Sequence, residues 1–404
     1  MIRPSLTLLF ALILTLASCG KDDPSSMVEQ EGGSTQSEVT SGQTTQMEEE
    51  EGGSTQLEVT PEQRTRELIQ GIAGPLVGEE GSVGLVVAVV TPEVNEVVGL
   101  GSRKIDGSPV DGQTVFQIGS ISKVMTGLLL ATFAERPQAP LQADDPVNDH
   151  LLNITAPDFE GQPINLEQLV THYSSLPNFP DNLIGPMTSP GTDYTRELLS
   201  EFLAGHTLTD PPGSRYTYSN LGSGLLGIAL ADAAGFSSYD ELLSARFINP
   251  LNLNRTGTRV PEFLNRVDEN ISTGYGGPDR RTDLGISDMG VLDGAGEILS
   301  TGEDMARFMR IMCGLDAYPV EGAIERTLTS RGSGDGMTDI GYSWDIHNSE
   351  PRTWSKSGLT AGFTSYLEFS RDPQVGVIIL SNQGGHRAIK DAVKTILNAL
   401  TVRD

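Results

Sequence analysis

Where the β-prone residues fall restricts this chain more than any other feature. The run Ser82-Val83-Gly84-Leu85-Val86-Val87-Ala88-Val89-Val90 is followed, after a short turn, by Asn95-Glu96-Val97-Val98-Gly99-Leu100, and the two read as a hairpin. Comparable strands return only near the other end, at Ser365-Tyr366-Leu367-Glu368-Phe369 and Val375-Gly376-Val377-Ile378-Ile379-Leu380, before a closing helix over 386–400. Between roughly 120 and 330 the pattern is mostly helical and rich in loops. A sheet drawn from both ends of the chain predicts an α/β fold: an antiparallel sheet flanked by helices, with a mostly helical lobe inserted. The cleft between two such lobes is a natural active site.

The folded part begins at Thr60-Pro61-Glu62-Gln63, where threonine with glutamine three residues on forms a capping box and proline takes the first helical position. Leu68 and Ile72 mark an apolar face of that helix. Residues 19–61 read as an acidic, disordered tether. Between 21 and 60 there are ten acids against Lys21 alone, and Glu31-Gly32-Gly33-Ser34-Thr35-Gln36 recurs at Glu51 to Gln56. Two copies with almost no apolar residues cannot bury a core, so the segment is a self-repelling spacer.

Residues 1–18 read as an export signal, with Arg3 in the positive region and an apolar stretch from Leu8 to Leu16 too short to span a bilayer. It ends in Leu16-Ala17-Ser18-Cys19, which is similar to the cleavage box of bacterial lipoproteins. That resemblance implies a lipid on Cys19, membrane attachment and a place in the cell envelope; an ordinary signal peptide with an incidental cysteine is the alternative. A lipidated Cys19 leaves Cys313 as a free, buried thiol.

Composition removes several classes of function. A formal net charge of -27 is the wrong sign for a binder of nucleic-acid phosphates. With 2 cysteines in unrelated surroundings, 5 histidines and no HExxH, neither a zinc site nor a disulfide framework is expected.

Three short stretches carry possible chemistry. In Phe116-Gln117-Ile118-Gly119-Ser120-Ile121-Ser122-Lys123, a strand-like segment ends in glycine and an apolar run continues at helical spacing through Val124, Met125, Leu128 and Leu129. Ser120 then falls in the first turn of a buried helix, with Lys123 one turn on and on the same face. An amine near an apolar wall loses charge and can take part in proton transfer. The plainer reading is a serine cap with a solvent-facing lysine, but the chain has only six lysines. In Tyr216-Thr217-Tyr218-Ser219-Asn220, Tyr218 and Asn220 sit two apart and can share one cleft if the segment is extended. A tyrosinate beside lysines is a competent general base, and an asparagine amide can orient a carbonyl; otherwise the tyrosines plug a lobe interface. In Trp354-Ser355-Lys356-Ser357-Gly358-Leu359, a cation, a hydroxyl and a glycine precede a strand. The bare glycine permits close approach of a substrate backbone to a sheet edge, whereas an edge-protecting surface lysine is the simpler account.

Taken together, these stretches resemble the penicillin-recognising serine hydrolases, the family of class C β-lactamases and D-alanyl-D-alanine carboxypeptidases. Its SxxK, YxN and K[TS]G motifs correspond in order to Ser120/Lys123, Tyr218/Asn220 and Lys356/Gly358. Softer similarity lies at Thr171–Pro177, Asn249–Leu251 and Gly294–Thr301. Serine replaces the commoner threonine at 357, and Tyr173 replaces a small or polar residue. The resemblance implies that residues 62–404 are a catalytic domain working by acyl transfer with no metal or organic cofactor. Ser120 would be the nucleophile, Lys123 and Tyr218 would share the base role, and the N–H groups of Ser120 and Leu359 would form an oxyanion hole. Asn220, Lys356, Ser357 and Gly358 would bind substrate, with the cation and the hydroxyl on its carboxylate. The substrates implied are β-lactams or D-Ala-D-Ala peptides; esters, or a slowly deacylating receptor, are the alternatives.

Overall fold

Helix α1 (Pro61–Ala73) starts at its capping box: the Gln63 N–H donates to Thr60 Oγ1 at 3.2 Å, and the Thr60 N–H donates to Gln63 Oε1 at 2.9 Å. Its buried line is Thr65, Ile69 and Ala73, and Leu68 and Ile72 flank it half-buried. The computed structural model describes residues 59–136, 138–183 and 194–401. The expected export signal, Cys19 and all but the last residues of the 19–61 tether lie outside them.

The inserted lobe is built on two helices that are apolar all round. Every residue of α2 (Ser122–Ala134) from Ser122 to Phe133 is buried, as is every residue of α3 (Asn220–Ala233) from Leu221 to Ala231. Such helices are stable only when surrounded on all sides. A short ladder pairs Val115–Gln117 with Leu299–Thr301, tying the entrance of the lobe to its exit just before α4 (Gly302–Met312).

The sheet has seven strands: β1 (Gly84–Val90), β2 (Asn95–Gly101), β3 (Asp339–Ile340), β4 (Asp345–His347), β5 (Thr353–Leu359), β6 (Thr364–Arg371) and β7 (Gln374–Ser381). Their order is β2-β1-β7-β6-β5-β4-β3, every neighbouring pair antiparallel, and β1 meets β7 with Leu85 opposite Ser381 and Val90 opposite Gly376. Leu85, Val87 and Val89 pack with Val377 and Ile379 under α1 and the closing helix α5 (Ala388–Thr401). Val86, Ala88 and Val90 face the other way, into a core with Ile378, Leu380 and the α4 residues Met305, Phe308 and Met309. Burial on both faces is why the β1 sequence shows no polar alternation. The sequence expectation of an antiparallel sheet joined from both chain ends, with helices on its faces and a helical insertion, is what the structure contains. The two shortest strands, β3 and β4, had no sequence counterpart. Lys356-Ser357-Gly358 lies inside β5 rather than before a strand.

Cys313, at the end of α4, is a buried free thiol whose pKa is pushed up to about 12 by burial. Among the described residues no helix is long and apolar enough to cross a membrane.

Candidate active site

Ser120 is carried by a tight 3-10 turn, Gly119–Ile121, that runs straight into α2. It does not cap that helix, which has no side-chain cap. The turn is held from three directions. The Ile118 N–H donates to Ile298 O at 3.0 Å, the Ile298 N–H donates to Ser122 Oγ at 3.2 Å, and Ser365 Oγ donates to Ile118 O at 2.8 Å. Two glycines let β5 lie directly against it. Gly119 has φ +54, and a Cβ there would stand 2.7 Å from the Leu359 nitrogen. A Cβ on Gly358 would stand 2.0 Å from Ile118 O. The bare face of Gly358 receives the protein's own nucleophile turn.

Tyr218 Oη donates to Ser120 Oγ at 2.7 Å, and Lys123 Nζ lies 3.3 Å from the same oxygen. Lys123 is fully buried, which removes the solvent-facing alternative; its amine also donates to Asn220 Oδ1 at 2.6 Å and to Ala295 O at 2.5 Å. The neighbour between Tyr218 and Asn220 explains their shared aim. Ser219 is extended (φ -137, ψ 112), so the flanking residues point the same way, and its hydroxyl caps α3 by accepting from the Gly222 N–H at 2.8 Å.

Lys356 is 3% exposed, not an edge-protecting surface lysine, and its ammonium stands 5.5 Å from the Tyr218 ring centroid. That ammonium donates no hydrogen bond to, and forms no ion pair with, any described residue. β4 pairs with β5 only as far as Ser355, so Lys356–Leu359 have β6 on one side and an open edge on the other. Ser357 and Leu359 alternate to the opposite face from Lys356 and are exposed, and among the described residues no hydrogen bond joins the Ser357 hydroxyl to the cluster.

A model of the Beta-lactamase family matches residues 68–399. The chain belongs to the β-lactamase family. A β-lactamase of Yersinia enterocolitica is 26% identical over 374 residues, covering 82% of this chain and 91% of the relative. The D-alanyl-D-alanine-carboxypeptidase/endopeptidase AmpH of Escherichia coli K12 is 27% identical over 285 residues, covering 66% and 70%. In fold the chain is similar to a crystal structure of a β-lactamase/D-alanine carboxypeptidase from Yersinia pestis, with a TM-score of 0.70 over 84% of this chain and 99% of that one at 24% identity.

This member of the β-lactamase family is a serine hydrolase whose lysines and tyrosine are shifted in opposite senses. Burial, and then the charge of Lys356, hold Lys123 well below the usual lysine range, with Glu297 pulling the other way. Burial also lowers Lys356, against Asp345. Tyr218 moves upward, chiefly through burial, with the Ser120 hydrogen bond opposing. That direction favours the phenol form of Tyr218 over the expected tyrosinate, and the lowering at Lys123 favours its uncharged form. A neutral Lys123 has two N–H donors, which match Ala295 O and Asn220 Oδ1, and one lone pair left for the Ser120 hydroxyl.

Several members of this site carry no local motif. Asn178 Oδ1 accepts from Asn220 Nδ2 at 2.7 Å, Ala295 supplies only a carbonyl, and the buried Glu297 accepts from Gln117 Nε2 at 3.3 Å. His172 lies against the Tyr218 ring at 4.5 Å between centroids. The similarity noted at 171–177 and 294–301 covers all but Gln117 and Asn178, without indicating their roles. Tyr173 keeps clear of the reacting groups: its hydroxyl donates to Ser333 O at 2.7 Å. Among the described residues no group of three or more His, Cys, Asp or Glu is placed to hold a metal ion.

Proposed function

We propose that this serine hydrolase acylates Ser120 with β-lactams or D-Ala-D-Ala peptides and then releases the acyl group to water. The observation that carries the reading is the convergence of Tyr218 Oη and Lys123 Nζ on Ser120 Oγ. As Ser120 Oγ bonds to the substrate carbonyl carbon, its proton passes to the Lys123 amine. The resulting ammonium and the Tyr218 phenol form a path to the leaving nitrogen, which takes a proton as the C–N bond breaks. Water attacks the ester next, giving its proton to the same pair, and Ser120 is restored.

The N–H groups of Ser120 and Leu359 are the proposed oxyanion donors, each worth about 3 kcal/mol to such a transition state. The close contact of Gly119 with the Leu359 nitrogen supports their pairing. Lys356, buried and unpaired beside the open edge of β5, suits a substrate carboxylate. Asn220 keeps one amide hydrogen free for an acyl-side carbonyl, since Lys123 and Asn178 engage its other groups. The names of the relatives from Yersinia and Escherichia support both substrate classes. We also propose a cell-envelope location with a lipid on Cys19, which the box Leu16-Ala17-Ser18-Cys19 supports; Cys19→Ser should shift the protein from membranes to the soluble fraction.

Intact mass after exposure to a penicillin tests the nucleophile: one adduct is expected on the wild type and none on Ser120→Ala. An unchanged adduct on the variant removes Ser120 from the role. Steady-state turnover of a cephalosporin beside a D-Ala-D-Ala peptide then decides between the substrates, and a burst without turnover identifies a receptor instead.

A further inference from the structure

The segment that carries Tyr218 has no regular secondary structure of its own, yet its tyrosine must meet Ser120 within hydrogen-bond distance. One residue grips it on both sides. The Thr217 N–H donates to His172 O at 2.7 Å, the Ser219 N–H donates to His172 Nδ1 at 3.3 Å, and the imidazole lies on the Tyr218 ring with centroids 4.5 Å apart. His172 is fully buried and has a left-handed backbone, φ +65. We propose that His172 is the positioning residue that holds Tyr218 in reach of Ser120, and that its Nδ1 lone pair is the group responsible.

The choice of residue type supports this. With Nδ1 accepting, the ring proton sits on Nε2, and Nε2 is buried with no partner among the described residues. Buried polar atoms are rarely left unpaired. A phenyl ring would pack against Tyr218 and Tyr216 equally well and leave no orphan donor. What histidine alone adds at this point is an acceptor for the Ser219 N–H, the backbone donor that α3 cannot satisfy because Ser219 precedes its first turn. Burial of the ring, and then the charge of Lys356, favour the neutral imidazole that this bond requires.

The inference rests on the proposed role of Tyr218, so the test carries Tyr218→Phe as a reference. The measurement is the rate of adduct formation on Ser120 with a penicillin, with affinity determined separately. His172→Phe keeps the ring and loses the acceptor; acylation should slow about ten- to a hundredfold with affinity little changed, as expected for a misplacement near 1 Å. His172→Asn loses the ring but offers Oδ1 where Nδ1 was and tolerates the left-handed backbone, so it should recover most of that loss. Wild-type acylation in His172→Phe, beside a slow Tyr218→Phe, overturns the proposal and leaves the role of Tyr218 standing. An asparagine variant as slow as the phenylalanine one overturns it too. Wild-type acylation in Tyr218→Phe removes the role of Tyr218, and the proposal with it. Should the His172 variants not fold, nitrogen NMR of the histidine-labelled wild type decides: His172 should carry its proton on Nε2, and a proton on Nδ1 is incompatible with the grip.

Discussion

Asn178 fixes the amide of Asn220 end for end. Because Asn178 Oδ1 accepts from Asn220 Nδ2 at 2.7 Å, the carbonyl end of Asn220 is the one that meets Lys123, at 2.6 Å. Asn178→Ala frees that amide to rotate and present a donor to the amine. The expected loss in kcat/KM is about three- to tenfold, the worth of one ordinary hydrogen bond. An unaltered kcat/KM on a cephalosporin would show that the orientation is kept by something else.

Lys356 depresses the proton affinity of Lys123, and this effect can be read apart from any grip on a carboxylate. If a neutral Lys123 is the base, activity rises as pH climbs through its lowered pKa. Lys356→Ala removes one cause of the lowering, so the acid limb of the kcat/KM profile should move to higher pH. A neutral ester is the substrate to use, since it has no carboxylate to lose contact. A limb that stays in place contradicts the coupling. Lys123→Arg, permanently charged, should lose at least about a hundredfold.

Gly358→Ala places a methyl 2.0 Å from Ile118 O, a backbone atom that is itself bonded to Ser365. Either β5 or the nucleophile turn must move. Overpacking of this kind typically costs about 1–3 kcal/mol. A lower melting temperature and a strong loss of acylation should appear together. Thermal unfolding with adduct formation checks it, and an alanine variant with wild-type values for both would mean that the contact relaxes freely.

Asp293 has its carboxyl pushed up to about 7 by burial, with Asp288 and Asp240 adding and Arg259 opposing. A carboxyl raised above its unfolded value contributes stability that is fully present below about pH 4 and is lost as pH climbs through about 7. The melting temperature should therefore fall between pH 6 and pH 8, by about a few degrees for a domain of this size. Glu297 is shifted in the same sense. Asp293→Asn should flatten the slope, and equal slopes in variant and wild type would assign the pH dependence to other groups.

What could be read from the sequence was what is local. Ser120 and Lys123 share one turn, Tyr218 and Asn220 flank one extended residue, Ser219, and the Leu85–Val90 run announces a strand within its own length. The acceptors around Lys123 were not readable, because Ala295 gives a backbone carbonyl, and Asn178 and His172 act on residues 42 and 47 positions away. The closeness of Gly358 to Ile118 was not readable either, because the fold rather than the sequence around it brings that neighbour up. β4, of three residues, is too short to display a period. The protonation of Tyr218 depends on burial, which no motif spells out.

The pairing of β1 with β7 has a consequence for synthesis. In a chain delivered N-terminus first, both strands of the Gly84–Gly101 hairpin are present early, but the free edge of β1 must wait for residues 376–381. Exposed apolar edges invite pairing with other chains, so this interval is the one in which nascent molecules are most open to aggregation. It also delays chemistry. Ser120, Lys123 and Tyr218 are translated long before Lys356 and the Leu359 N–H, so an unfinished chain holds its nucleophile without the strand that would complete the site.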